Sequence, residues 1–153
     1  MQKKNVESSD MAADCAGDIP TVTDIHLAQA RIRHDVRVTP VINDPALDAE
    51  LGCRLYCKCE NLQRTGAFKF RGASNALARL AEMRITGDVA THSSGNHGAA
   101  VALAARLAGR RAHVVMPDNS SRMKIAAVRG FGGHVHFCQP THASRASGLQ
   151  KLI

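Results

Sequence analysis

Three short strand-like runs, with helical segments between them, follow one another after residue 87. The runs at 88–92, 112–116 and 134–138 have the length of strands, and glycine-containing turns separate them from the segments between. Strands that alternate with helices pair in parallel, because a parallel neighbour requires a crossover connection. The sequence therefore predicts an α/β fold whose parallel sheet carries helices on both faces.

The first part of the chain has a different pattern. Residues 1–19 are polar and acidic and lack the apolar content of a core, so we predict a flexible tail there. Thr23 is expected to cap the first helix. Between Lys69 and Arg84, apolar side chains recur at helical spacing, which predicts an amphipathic helix with Lys69 at its start.

These patterns indicate two domains. We expect residues 20–85 to begin a large domain and residues 86–153 to form a smaller parallel α/β domain. The last helical pattern opens at Thr141, and no strand follows it up to Ile153. A parallel layer needs such a strand to cover the helix. We therefore expect the smaller domain to be incomplete at its C-terminus and prone to association.

The composition argues against two classes of partner. The net charge of +7 comes from arginines scattered along the amphipathic segments, and aromatic residues make up only 3% of the chain. Nucleic-acid binding usually relies on clustered basic residues and stacking aromatic side chains. No apolar run reaches the length of a membrane span. We expect a protein that binds neither nucleic acids nor membranes.

Cysteine and histidine spacing does not predict a metal site. The number of cysteines is odd, at five, and no secretory signal is recognisable, which favours a reduced, cytoplasmic setting. Cys57 and Cys59 lack a second pair at zinc-ligand spacing, so we expect buried thiols. His134 and His136 alternate along one predicted strand, but no third ligand lies nearby in the sequence.

A lysine between two phenylalanines is the first candidate for chemistry. Phe68, Lys69 and Phe70 stand at the start of the predicted helix, and Arg71 follows them. Partial desolvation and the Arg71 charge would both disfavour the charged form of the lysine and make its amine a nucleophile. The alternative is an ordinary lysine whose stem covers apolar neighbours while its ammonium stays in water.

The second candidate is the turn Ser93-Ser94-Gly95-Asn96-His97-Gly98, between a predicted strand and a predicted helix. Free backbone amides and the helix dipole at such a place form an anion site. The carboxyl end of a parallel strand is also where open α/β sheets bind ligands. The alternative is purely structural, with a serine that caps the helix and an asparagine that forms the turn.

Together, the two segments resemble a known family. The run KCENLQRTGAFKFRGASNAL, followed by THSSGNHGAAVALAA, is similar to pyridoxal-phosphate enzymes of the tryptophan synthase beta-like structural type. Within that type it looks most like threonine/serine dehydratases and serine racemases. The likeness runs from about Val22 to the end of the chain and includes Thr39-Pro40. It implies the N-terminal half of a two-domain fold.

The resemblance implies roles for individual residues. Lys69 matches the lysine that carries pyridoxal phosphate, Phe68 the residue beside the cofactor ring, and Asn96 the contact to its phenolic oxygen. Ser94 matches the serine that acts as acid or base on the opposite face of the α-carbon in racemase-like members. The turn that holds the substrate carboxylate comprises Ser93, Ser94, Asn96 and His97. Ala67 departs from the serine that is common before Phe-Lys.

The activity that the resemblance implies is threonine/serine dehydration, the loss of water and then ammonia to give a 2-oxo acid. A serine racemase-type activity and a truncated, inactive remnant are the alternatives. The family's phosphate-binding loop and divalent-cation site would lie beyond residue 153. The resemblance also implies a cytoplasmic homodimer or homotetramer that acts on a small amino acid.

Overall fold

A computed structural model of the protein describes residues 19–152, and the chain divides into two compact units between Ala30 and Arg31. The described part of the first unit holds most of helix α1 (Val22–Ile32). The Thr21 hydroxyl accepts from the Asp24 amide at 3.3 Å, and the Asp24 carboxylate accepts from the Thr21 amide at 2.8 Å. This reciprocal pair caps the helix at Thr21. The predicted cap at Thr23 is wrong, because Thr23 already lies in the first turn.

The second unit contains the remaining elements. In chain order they are β1 (Val41–Asn43), α2 (Pro45–Leu51), β2 (Tyr56–Lys58), α3 (Lys69–Glu82), β3 (Val89–His92), α4 (Asn96–Leu107), β4 (Ala112–Pro117), α5 (Arg122–Gly130), β5 (Gly133–Cys138) and α6 (His142–Gln150). Strands β1 and β2 form an antiparallel pair. Strands β3, β4 and β5 form a separate sheet in that order.

The three-stranded sheet is parallel throughout. Val89 pairs with Ala112 at the start of β3, and Ala112 pairs in turn with Gly133 at the start of β5. Alternate residues of β4 face opposite sides of the sheet. Helices α4 and α5 cover one side, and α6 covers the other. The predicted α/β fold, a parallel sheet with helices on both faces, is confirmed.

The core lies between this sheet and α4. Every residue of α4 from Gly98 to Ala105 is buried, as expected for a helix that is apolar on nearly all sides. Helix α3 packs on the outside of α4 and adds the fully buried Phe70 to the core. A β-carbon on Gly98 would lie 2.9 Å from Cγ1 of Val114, so only glycine lets the start of α4 approach β4 this closely.

One expectation from the sequence fails in the fold, and one histidine pair gains a neighbour. Cys57 is exposed and Cys59 only half-buried, so neither is the buried thiol expected. They lie on and just after β2, a short strand of a two-stranded sheet whose residues are all exposed. His134 and His136 gain a third histidine from the neighbouring strand, since Nδ1 of His113 lies 3.0 Å from Nε2 of His136.

Several predictions about the organisation of the chain are not tested by the structure. The predicted tail at residues 1–19 lies outside the described residues except for Ile19. The predicted domains at 20–85 and 86–153 stay a prediction. Within residues 19–152, no helix combines the length and the apolar character needed to cross a membrane.

Candidate active site

The turn that carries the second sequence motif lies at one edge of the parallel sheet. Because the three strands are parallel, their carboxyl ends lie side by side, and helices α4, α5 and α6 all begin there. The rings of His92, at the end of β3, and His142, at the start of α6, are 6.1 Å apart. This is the edge where open parallel sheets bind ligands.

The turn between β3 and α4 leaves backbone amides free for a ligand. The Ser93 amide still follows the sheet and donates to the Val115 carbonyl at 3.0 Å. The Ser93 hydroxyl accepts from the Gly95 amide at 3.2 Å and therefore stays within the turn. Gly95 is the N-cap of α4, and no side chain caps the helix. The alternative of a serine cap is wrong, and the first amides of α4 can bind an anion.

Lys69 begins α3 and is exposed. Its ammonium lies 5.1 Å from the centre of the Phe68 ring, a cation–π contact. Phe68 is 60% exposed, whereas Phe70 on its other side is fully buried in the core. The two phenylalanines therefore have different roles. Phe70 fixes α3 to the core, and Phe68 leaves an open aromatic face beside the amine.

Arg71 forms an ion pair with Glu60 at the start of α3. Its Nη2 and Nε donate to the two carboxylate oxygens of Glu60 at 2.7 and 2.9 Å. The Thr39 hydroxyl donates to the same carboxylate at 2.5 Å. Hydrogen bonds from Arg71 outweigh burial and lower the pKa of Glu60 to about 2. The Glu60 carboxylate therefore pairs with the positive charge of Arg71.

A buried glutamine extends this network toward the chain before β1. Gln63 is 2% exposed. Its side-chain oxygen accepts from the Arg37 amide at 2.9 Å, and its side-chain nitrogen donates to the Arg37 carbonyl at 3.0 Å. Arg71 Nη2 donates to the same carbonyl at 3.1 Å. The segment before β1, the turn after β2 and the start of α3 are therefore held together around Lys69.

The lysine motif and the glycine-containing turn lie close together. Partial burial lowers the pKa of His97, and the positive charge of Lys69 lowers it further, with a smaller effect of His92. His97 is in the first turn of α4, next to the exposed Asn96. Ser94 is half-buried in the turn itself. Lys69 and His97, which are 28 residues apart in the chain, are thus near enough for their charges to interact.

The groups at this site fit a phosphorylated pyridoxal in part. A primary amine suits its aldehyde, an exposed aromatic side chain suits its ring, and the Asn96 amide suits its phenolic oxygen. The free amides of α4 suit a carboxylate. Within residues 19–152, no group of three or more His, Cys, Asp or Glu side chains is arranged to hold a metal ion.

Comparison with known proteins identifies the family of the chain. The model of the family described as "Pyridoxal-phosphate dependent enzyme" matches residues 32–153. The chain belongs to this family.

Individual relatives cover more than one activity. The chain is 44% identical over 140 residues to a serine racemase from Oryza sativa subsp. indica, which is 92% of this chain and 41% of that protein. It is 47% identical over 114 residues to an L-threo-3-hydroxyaspartate ammonia-lyase from Pseudomonas sp, which is 74% of this chain and 36% of that protein. The chain spans about two fifths of the length of these curated relatives.

A solved structure supports the fold assignment. A threonine deaminase from T.th. aligns with a TM-score of 0.78 and 36% sequence identity, over 87% of this chain and 42% of that one. The chain therefore has the fold of the first part of such enzymes.

Proposed function

We propose that this chain is part of a pyridoxal-phosphate-dependent ammonia-lyase that removes water and then ammonia from L-threonine or L-serine. The observation that carries the proposal is the proximity of Lys69 to the uncapped start of α4. The relatives named as ammonia-lyase and threonine deaminase favour elimination. We further propose a cytoplasmic homodimer or homotetramer for the complete enzyme.

Each residue of the site has a defined task in this proposal. Pyridoxal phosphate, when bound through Lys69, supplies the electron sink. Lys69, in its neutral form, takes the proton from the α-carbon of the substrate. The amides at the start of α4, together with Ser93, Asn96 and His97, hold the substrate carboxylate and so fix which bond at the α-carbon faces Lys69. Phe68 and Asn96 contact the cofactor.

A serine racemase activity is the second candidate, and the position of Ser94 favours it. Ser94 lies half-buried in the turn, and we propose that its hydroxyl serves the face of the α-carbon opposite to Lys69. Racemisation needs an acid or base on each face, whereas elimination needs only the lysine face. The relative from Oryza sativa supports this candidate by its name.

A chimera tests both candidates. Joined to the C-terminal part of the relative from Oryza sativa, the chain should release a 2-oxo acid and ammonia from L-threonine and L-serine. Lys69→Ala should abolish this release, and Arg79→Ala, an exposed change on the same helix, should leave it intact. Formation of D-serine without 2-oxo acid would favour the racemase. A soluble chimera that binds pyridoxal phosphate but does neither reaction would refute both and favour an inactive remnant.

A further inference from the structure

Histidines from two neighbouring strands lie together on the α6 side of the sheet. His113 of β4 is in register with His134 of β5, and Val115 is in register with His136. Alternate residues and register partners point to the same face of a sheet, so these side chains share one face. A β-carbon on Gly148 of α6 would lie 3.0 Å from Cγ1 of Val115, which identifies this face as the one that α6 covers. The centre of the His113 ring lies 5.4 Å from that of His134 and 5.2 Å from that of His136.

The Asp88 carboxylate determines which nitrogen of His113 is free to bind a ligand. Its Oδ2 lies 3.3 Å from Nε2 of His113 and 2.9 Å from Nη2 of Arg111. An ionised carboxylate only accepts hydrogen bonds, so Nε2 of His113 carries the hydrogen and Nδ1 of the neutral ring presents a lone pair. Metal-binding histidines are oriented in the same way, since their second ring nitrogen commonly donates to a carboxylate.

Nδ1 of His113 faces a nitrogen of a second imidazole. It lies 3.0 Å from Nε2 of His136. Two nitrogens bound to one ion at about 2.1 Å are about 3.0 Å apart when they meet at a right angle, and about 3.4 Å apart at a tetrahedral angle. The observed separation therefore fits a right angle, the geometry that Cu²⁺ and Ni²⁺ adopt with nitrogen ligands. Both residues are half-buried, so an ion in the solvent can reach them.

We propose that His113 and His136 form a binding site for a divalent transition-metal ion of the Cu²⁺ and Ni²⁺ class, with Asp88 as the group that orients His113. Without an ion, Nε2 of His136 donates to Nδ1 of His113, and binding of an ion moves this hydrogen to the other nitrogen of the His136 ring. Water completes the coordination, since residues 19–152 contain no group of three or more such ligands. Imidazole nitrogen selects these ions over Mg²⁺ and Ca²⁺, which prefer oxygen. Helix α4, where the proposed function places the substrate, covers the opposite side of the sheet, so the metal site does not depend on that function.

His134 is not a ligand in this arrangement. Its ring stacks on the His113 ring with 28° between the two planes. The lone pair of an imidazole nitrogen lies in the plane of its ring, so the nitrogens of a stacked ring are directed past the ion and not toward it. His134 is exposed and shares a strand and a face with His136, which makes it the matched control.

Titration of the untagged 153-residue chain with Ni²⁺ tests the site. The ion is paramagnetic and broadens the NMR signals of nearby nuclei, so it reports which of the eight histidines it binds. The amides of residues 112–114 and 135–137 should broaden first, and EDTA should restore them. An excess of Mg²⁺ should not compete with the bound Ni²⁺.

Substitutions at the site should change its affinity in a defined order. Asp88→Ala should weaken Ni²⁺ binding at least about tenfold, as expected for the loss of an orienting carboxylate. His113→Gln and His136→Gln each remove a ligand and should weaken binding further. His134→Gln should leave the affinity unchanged. The position of the broadening in the wild-type chain does not depend on whether a variant folds.

Broadening centred on other histidines, such as the neighbouring His92 and His142, would overturn the site. An affinity that His136→Gln leaves intact, or an equal loss in His134→Gln, would also overturn it. If acidification shifts the signals of both rings but Ni²⁺ does not broaden residues 112–114 and 135–137, the two histidines share only a proton, and the metal site is wrong.

Discussion

Replacement of Glu60 by glutamine tests the network that holds Lys69 in place. A carboxylate whose pKa falls from 4.5 to about 2 on folding stabilises the protein by at most about 3 kcal/mol at neutral pH. The Glu60 and Arg71 side chains are 17% and 32% exposed, so water screens part of this pair. We therefore expect Glu60→Gln to lower the free energy of unfolding by about 2 kcal/mol.

The pH dependence of this stability loss tests whether the charge of Glu60 causes it. The folded state binds a proton at Glu60 less readily than the unfolded state, so this contribution is complete above pH 4.5 and is lost as the pH falls toward about 2. The difference between wild type and Glu60→Gln should shrink over this range. Urea unfolding followed by circular dichroism measures it, and hydrogen exchange of residues 60–75 locates it.

The matched control is Glu82→Gln. Glu82 also pairs with an arginine at 2.7 Å, but its side chain is 54% exposed, so we expect a loss of under about 1 kcal/mol. An equal loss for the two variants would show that burial does not strengthen the Glu60–Arg71 pair. A Glu60→Gln effect that persists undiminished near pH 2 would show that the Glu60 charge is not its cause.

Three further predictions follow from the packing, the histidines and the turn. Gly98→Ala should destabilise the fold by about 1 to 3 kcal/mol in thermal unfolding, because its β-carbon would lie 2.9 Å from the buried Val114. Gly72→Ala is the control, since its β-carbon would lie in open space on α3, and it should stabilise the fold slightly. Burial, followed by the charges of His113 and His134, lowers the pKa of His136 below 6.5. The unfolded state therefore binds this proton more readily than the folded state, and stability should fall as the pH drops below 6.5. His136→Gln should flatten that part of the stability curve. In the chimera, Ser94→Ala should retain most L-serine or L-threonine dehydration but reduce D/L interconversion at least ~10²-fold, as measured by chiral chromatography.

The parallel half of the fold could be predicted because its signals are local. The strands expected at 112–116 and 134–138 are Ala112–Pro117 and Gly133–Cys138, and the last helix is capped at Thr141 as expected. Periodicity and glycine turns determine such elements over a few residues. The antiparallel pairing of β1 with β2 was not predicted. Each strand has only three residues, all exposed, so neither shows the alternation of buried and exposed side chains that identifies a strand in a sequence.

The surroundings of the site could not be predicted, because they depend on contacts between distant residues. Glu60 and Thr39 are 21 residues apart in the chain, and nothing in the local sequence pairs them. Lys124 reaches Gly95 only because β3 and β4 are parallel neighbours whose following helices start at one edge. The motifs around Lys69 and Asn96 could be recognised in the sequence. The side chains that surround them, such as Glu60 and Lys124, could not.

Peptide mapping determines whether Lys69 carries the cofactor. The chimera is incubated with pyridoxal phosphate, reduced with borohydride and digested, and the modified lysine is identified by mass spectrometry. This chain has six lysines, so chance modification is readily detected. We predict that the label lies on Lys69 and is lost in Lys69→Ala, whereas Arg79→Ala keeps it. A label on Lys58 or Lys124 instead, or full labelling of Lys69→Ala, would contradict the account.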